Sequence, residues 1–120
     1  MDDQISWHAE LAVAPGQGER FHALTGEMVA AARAEPGILS YQRFVSADGT
    51  LVHVYERYVS SAAAVAHLES FMARFSQRYS ALVTRKRFTV CGHPSEALRT
   101  LLDGFGAIYM RPYGDFAYWA

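Results

Sequence analysis

Hydrophobic residues in this chain recur with a period that switches between two and about 3.6, and the order of those switches restricts the fold more than any single motif. Ile5, Trp7, Ala9, Leu11 and Val13 alternate with Ser6, His8, Glu10 and Ala12, which predicts a half-buried strand. Pro15-Gly16 and Gly18 close it. From Glu19 the apolar residues Phe21, Leu24, Met28, Val29 and Ala32 fall three and four apart, one face of an amphipathic helix. Glu35-Pro36-Gly37 ends that helix, because the residue before a proline is pushed out of the helical region.

The period then returns to two. Leu39, Tyr41, Arg43 and Val45 alternate with Ser40, Gln42 and Phe44, and Asp48-Gly49 makes a hairpin turn into a third strand, Leu51 to Tyr58. Ser60 or Ser61 caps a second helix. Its stripe runs Ala64, His67, Leu68, Phe71, Met72, Phe75, Tyr79 and Leu82, with a break expected near Ser70. Residues 87–91 read as a short fourth strand. Strand, helix, strand, strand, helix, strand predicts an α+β domain, a ferredoxin-like βαββαβ antiparallel sheet with both helices on one face.

Such a sheet leaves one face uncovered. The third strand puts Val52, Val54, Glu56 and Tyr58 on one side and Leu51, His53, Tyr55 and Arg57 on the other. Both sides are partly apolar or aromatic, so the uncovered face is expected to meet a second copy of the chain. Beyond Pro94, the residues Ala97, Leu98, Leu101 and Leu102 predict a further short helix stopped by Gly104. Six of the 16 aromatic residues lie in the last 16 positions: Phe105, Tyr109, Tyr113, Phe116, Tyr118 and Trp119. Residues 1–92 are therefore expected to form the domain, and 93–120 a C-terminal helix and aromatic tail packed on it or on the dimer partner.

Composition narrows the function classes. A chain of 120 residues, 51% of them apolar, suffices for one domain with a core. Eleven basic and 12 acidic side chains give a net charge of -1, without the basic excess of a nucleic-acid binder. The one basic cluster, Arg85-Lys86-Arg87, is expected to form a solvated rim. Cys91 has no intrachain partner, Met1-Asp2-Asp3 lacks the opening of a secretory leader, and no run is apolar enough for a membrane span. A cytoplasmic protein with no membrane contact is the expectation. His8 and Glu10 share a strand face, but the five histidines are scattered, so no metal site is expected. Gly16-Gln17-Gly18 lacks the third glycine of a dinucleotide-binding loop.

His67 is the sharpest chemical candidate, since helical spacing places it among Ala64, Phe71 and Phe75, facing inward. A buried imidazole calls for a polar partner. Trp7 and Tyr41 are candidate pocket wall and hydrogen-bond donor for a planar ligand, with Phe71 and Phe75 beside them.

Pro15-Gly16, Glu35-Pro36-Gly37-Ile38-Leu39-Ser40-Tyr41, Tyr55-Glu56-Arg57-Tyr58, Ser60 and Ala66-His67-Leu68 together make residues 4–92 resemble the antibiotic-biosynthesis-monooxygenase superfamily. The resemblance implies a homodimer whose sheets pack face to face into an α/β barrel, with a small-molecule pocket between each sheet and its own helices. Relatives include cofactor-independent oxygenases of quinol and polyphenol compounds, haem-degrading oxygenases and an isomerase of a phosphorylated signalling molecule. The haem-degrading members carry Asn, Trp and His where this chain has Ala9, His67 and Gln77, and the chain contains no Asn at all. The isomerase relatives carry a second His where this chain has Phe71-Met72.

The resemblance also makes Glu56 the partner of His67. The expectation is a monooxygenase that needs no cofactor and acts on a small aromatic, quinol or polyketide-like compound. In it Glu56 orients His67 as the base that takes a phenolic or enolic proton. An isomerase using the same pair, and a non-catalytic small-molecule-binding dimer in which the pair only fastens helix to sheet, are the alternatives.

Overall fold

The computed structural model describes residues 3–116, so Tyr118 and Trp119 of the expected tail lie outside the described residues. Its elements are β1 (Ile5–Val13), α1 (Gly18–Arg33), β2 (Ile38–Val45), β3 (Leu51–Tyr58), α2 (Ser61–Arg74), α3 (Ser76–Leu82), β4 (Val83–Gly92), α4 (Glu96–Gly104) and β5 (Ile108–Met110). The strands form one sheet in the order β2-β3-β1-β4-β5. The first four pair antiparallel, giving the ferredoxin-like α+β fold. β5 joins β4 in parallel through Thr89–Ile108, Val90–Tyr109 and Cys91–Met110, so the sheet is mixed.

Alternation decides which side chains go under the helices. Ile5, Trp7, Ala9 and Leu11 of β1 and Val52, Val54, Glu56 and Tyr58 of β3 are buried. The helices answer with Phe21, Leu24, Met28 and Ala32 from α1 and Ala64, His67, Leu68 and Phe71 from α2. Each large apolar side chain so covered contributes about 1.5–3 kcal/mol. Ser60 opens α2, its hydroxyl accepting from the Ala63 N–H at 3.2 Å. Asp48 closes the β2–β3 hairpin: its Oδ1 accepts from Ser46 Oγ, the Thr50 N–H and Thr50 Oγ1 at 2.8, 3.0 and 2.7 Å.

The helical break falls at Phe75, not near Ser70. Phe75 leaves the helical region (φ -125°) and α3 restarts at Ser76. Phe71, Phe75 and Tyr79 stay buried across the interruption, so the hydrophobic stripe carries no trace of it. β4 is also longer than residues 87–91, beginning at Val83 directly after α3. Its pairing with β1 slips between Glu10 and Leu11: Glu10 faces Arg87, Leu11 faces Arg85, and Lys86 is the extra residue of a bulge. The slip turns Arg85 to the helix side and leaves Arg87 on the open face. The expected basic rim is thereby split between the two faces.

Two packing details bear on the site. The α1–β2 loop crosses the first turn of α2 at Gly37, which has φ +89°. A Cβ there would stand 2.7 Å from Ala63 Cβ and 3.2 Å from Val59 Cγ2, so only glycine fits. At the other end, α4 buries Leu98 and Leu102 and packs on α2. Phe105 follows, its ring centroid 6.5 Å from that of Phe71 and 6.4 Å from that of Phe88. Tyr113 and Phe116 are exposed. Among the described residues no helix is long and apolar enough to cross a membrane.

Candidate functional site

Between the helices and the sheet lies a narrow cleft of about 40 Å³, open at its mouth. Trp7 and Ala9 line it from β1, Tyr41 and Arg43 from β2, Glu56 from β3, His67 and Phe71 from α2, and Arg85 from β4. Strand alternation brings the sheet residues to one side: Trp7 and Tyr41 both stand opposite Glu56 in the strand pairing.

Glu56 is 5% exposed and its carboxylate is held by donors from its own strand and from both neighbouring strands. Trp7 Nε1 donates to Oε1 at 3.0 Å, the Tyr58 hydroxyl donates to the same oxygen, and Arg43 Nη2 donates to Oε2 at 3.1 Å. A buried carboxylate without such partners would cost several kcal/mol. The Arg43 guanidinium lies flat against Tyr41, its Cζ 3.5 Å from the ring centroid.

His67 sits between two carboxylates. Its Nδ1 is 3.2 and 3.3 Å from the two oxygens of Glu35, whereas Nε2 is 3.5 Å from Glu56 Oε1, an ion-pair distance too long for a good hydrogen bond. The hydrogen-bonded carboxylate of His67 is thus Glu35, not the expected Glu56. Glu35 was hidden by its place in Glu35-Pro36-Gly37, where proline and glycine explain the end of α1 without assigning the carboxylate a task. The Tyr41 and Tyr58 rings pack beside the imidazole, at 5.5 and 5.4 Å between centroids.

Burial, followed by the Glu56 charge, raises the Tyr41 phenol well above its ordinary range, and Tyr58 rises for the same reasons. Burial also raises Tyr79. These phenols are neutral hydrogen-bond donors at ordinary pH.

The structure brings Trp7, Tyr41, Glu56, His67 and Phe71 to one cleft. Phe75 is buried but does not line it; the Arg74 and Arg78 guanidiniums approach its ring at 5.0 and 5.7 Å. Sequence reasoning missed Glu35, Arg43 and Arg85. Arg43 alternates with Tyr41 on the same strand face, which was a usable signal. Arg85 depends on the bulge and had none.

On the open face, His8 Nε2 lies 3.3 Å from His53 Nδ1 and the His8 ring stacks on Tyr55 at 4.5 Å. Partial burial, then the neighbouring His53, lowers the His8 pKa.

Comparison with solved structures finds the same fold repeatedly. MupZ from Pseudomonas fluorescens has a TM-score of 0.84 at 22% identity, over 98% of this chain and 91% of that one. Rv0793 from Mycobacterium tuberculosis has a TM-score of 0.59 at 29% identity, over 78% of this chain and 98% of that one. SnoaB from Streptomyces nogalater, described as a cofactor-independent oxygenase, has a TM-score of 0.65 at 14% identity, over 78% and 95%. The MupZ likeness covers nearly all of this chain, the other two about four-fifths of it. The search of curated proteins returns no match. The profile of the family described as "Antibiotic biosynthesis monooxygenase" matches residues 5–83, about two-thirds of the sequence, and the chain belongs to that family.

Proposed function

We propose that this protein is a cofactor-independent monooxygenase of a small aromatic, quinol or polyketide-like compound, with His67 as the base. The observation that carries the reading is the asymmetry of the imidazole: Nδ1 is tied to Glu35, while Nε2 has no hydrogen bond and His67 lines the cleft. Nδ1–H donation to Glu35 fixes the tautomer that leaves a lone pair on Nε2. A phenol or enol seated against Trp7, Tyr41 and Phe71 then gives its proton to Nε2. Glu56, already held by Trp7, Tyr58 and Arg43, stays in place as the negative charge facing the imidazolium that forms. The electron-rich anion reacts with O2; the net change is one ring CH2 converted to C=O with one water released.

The family supports this reading, and so does the likeness to SnoaB, a cofactor-independent oxygenase. Oxygen uptake with a panel of anthrones and hydroquinones tests it. Folded His67→Ala is expected to lose roughly 10²- to 10⁴-fold in rate, the usual worth of a positioned base. Full turnover by that variant removes the base. Ligand-induced stabilisation with no oxygen uptake on any compound supports the non-catalytic binding dimer instead.

The partner proposed for the open face is a second copy. Phe44, Leu51 and Tyr55 expose 57, 46 and 41% of their surfaces there, a contiguous apolar patch beside the His8–His53 pair.

A further inference from the structure

We infer that the cleft selects an aromatic substrate carrying an ionised carboxylate, and that Arg43 receives it. The inference rests on the proposed aromatic substrate and adds the charge that substrate brings. Arg43 is the carrying observation. Its side chain is only 10% exposed, and Nη2 serves Glu56, yet Nε and Nη1 are buried with no acceptor. Buried guanidinium N–H groups are normally paired, because losing water without gaining an acceptor is costly. Tyr41 covers one flat side of the guanidinium, so the vacant donors point from its edges, in the plane where an oxyanion binds.

A second arginine biases the same cleft. The bulge in β4 brings Arg85 to the lining, where its Cζ stands 5.0 Å from the Phe105 ring centroid and 5.5 Å from those of Tyr79 and Phe88. None of the ion pairs formed among the described residues involves Arg85. Glu56 offsets the charge of Arg43, and nothing lining the cleft offsets that of Arg85. An anion that reaches the edge of Arg43 finds donors without acceptors, with the Arg85 guanidinium lining the same cleft. A neutral quinol satisfies the walls but offers these donors only uncharged oxygens. Arginine suits a carboxylate because its planar fork offers paired donors to two oxygens.

Calorimetric titration of the full chain at pH 7 with 1-hydroxy-2-naphthoate and with its neutral methyl ester tests this. The acid is expected to bind about tenfold tighter or better, the scale of a charge-assisted hydrogen bond. Arg43→Lys keeps a cation for Glu56 but removes the fork, and is expected to bring the preference below about threefold. Arg85→Gln is expected to weaken acid binding more than ester binding. Equal binding of acid and ester by the unaltered protein, or binding of neither, overturns the inference whether or not the variants fold. So does a preference untouched in folded Arg43→Lys. Oxygen uptake on neutral 1,4-dihydroxynaphthalene is measured separately. Acid preference without any uptake keeps the carboxylate site and removes the monooxygenase reading, whereas uptake without acid preference does the reverse.

Discussion

The Glu35 carboxylate lies 3.2 Å from Nδ1 of His67, although 32 residues of chain separate the two. Glu35 comes from the loop after α1 and His67 from the middle of α2, and each is useful only with the other in place. Replacing Glu35 by Gln keeps the shape and removes the negative charge beside the ring. Oxygen-uptake kinetics of Glu35→Gln should show kcat lower by about tenfold or more with KM little changed. Its thermal midpoint should move little, since Glu35 is partly exposed. A kcat equal to the parent's would show that this hydrogen bond has no part in turnover.

Glu56 binds together three strands. Glu56→Ala leaves the Trp7 and Tyr58 donors without an acceptor and strands the Arg43 charge in the interior. Urea unfolding should show a loss of about 3–5 kcal/mol, as for other broken buried pairs. Glu56→Gln, which still accepts one or two hydrogen bonds, should lose about 1–3 kcal/mol. Equal midpoints for the two variants would mean that a neutral acceptor is no help here and that the carboxylate charge alone secures the strands.

The hairpin has its own acid dependence. Hydrogen bonds from Thr50 and Ser46 hold the Asp48 carboxyl at about 2, below its ordinary 3.8. A carboxyl depressed in the folded state adds stability above its unfolded pKa and loses that contribution as pH falls through the folded value. Asp48→Asn should therefore melt below the parent at pH 6, and the gap should close between about pH 4 and pH 2. Melting curves of both proteins across that range check it; a gap independent of pH would assign the effect to turn geometry rather than charge.

The proposed second copy is tested on Phe44, the most exposed aromatic of the open sheet face. Sedimentation velocity should show Phe44→Asp as a monomer at concentrations where the parent is a dimer, because a carboxylate buried in an apolar interface is costly. A parent that sediments as a monomer would leave the exposed patch to another partner.

Local patterns made most of this architecture legible. β1, α1 and the β2–β3 hairpin declare themselves through strict periods and the Asp48-Gly49 turn, because each buries one face against one neighbour. The inward direction of His67 and Glu56 follows from the same arithmetic. What stayed hidden is non-local or masked by a stronger local cause. The parallel pairing of Ile108–Met110 with β4 leaves no mark in three residues of sequence. Lys86 as a bulge residue, and with it the inward turn of Arg85, depends on the register against β1. The kink at Phe75 is invisible because both flanking segments keep the same buried stripe. Glu35 was masked by the proline after it, which accounts for the helix end so fully that no second role is called for.

The glycine two residues beyond Glu35 never touches the imidazole, yet it governs how the imidazole is seated. A methyl group at position 37 would meet Ala63 at 2.7 Å, and relief would require lifting the loop from the start of α2. The lifted loop carries Glu35 with it, and His67 is left to rotate. An alanine here would thus be read first in the tautomer and mobility of a distant ring, long before any change in the fold's outline, so a nitrogen-detected NMR spectrum of His67 is a more sensitive gauge of this turn than a melting curve.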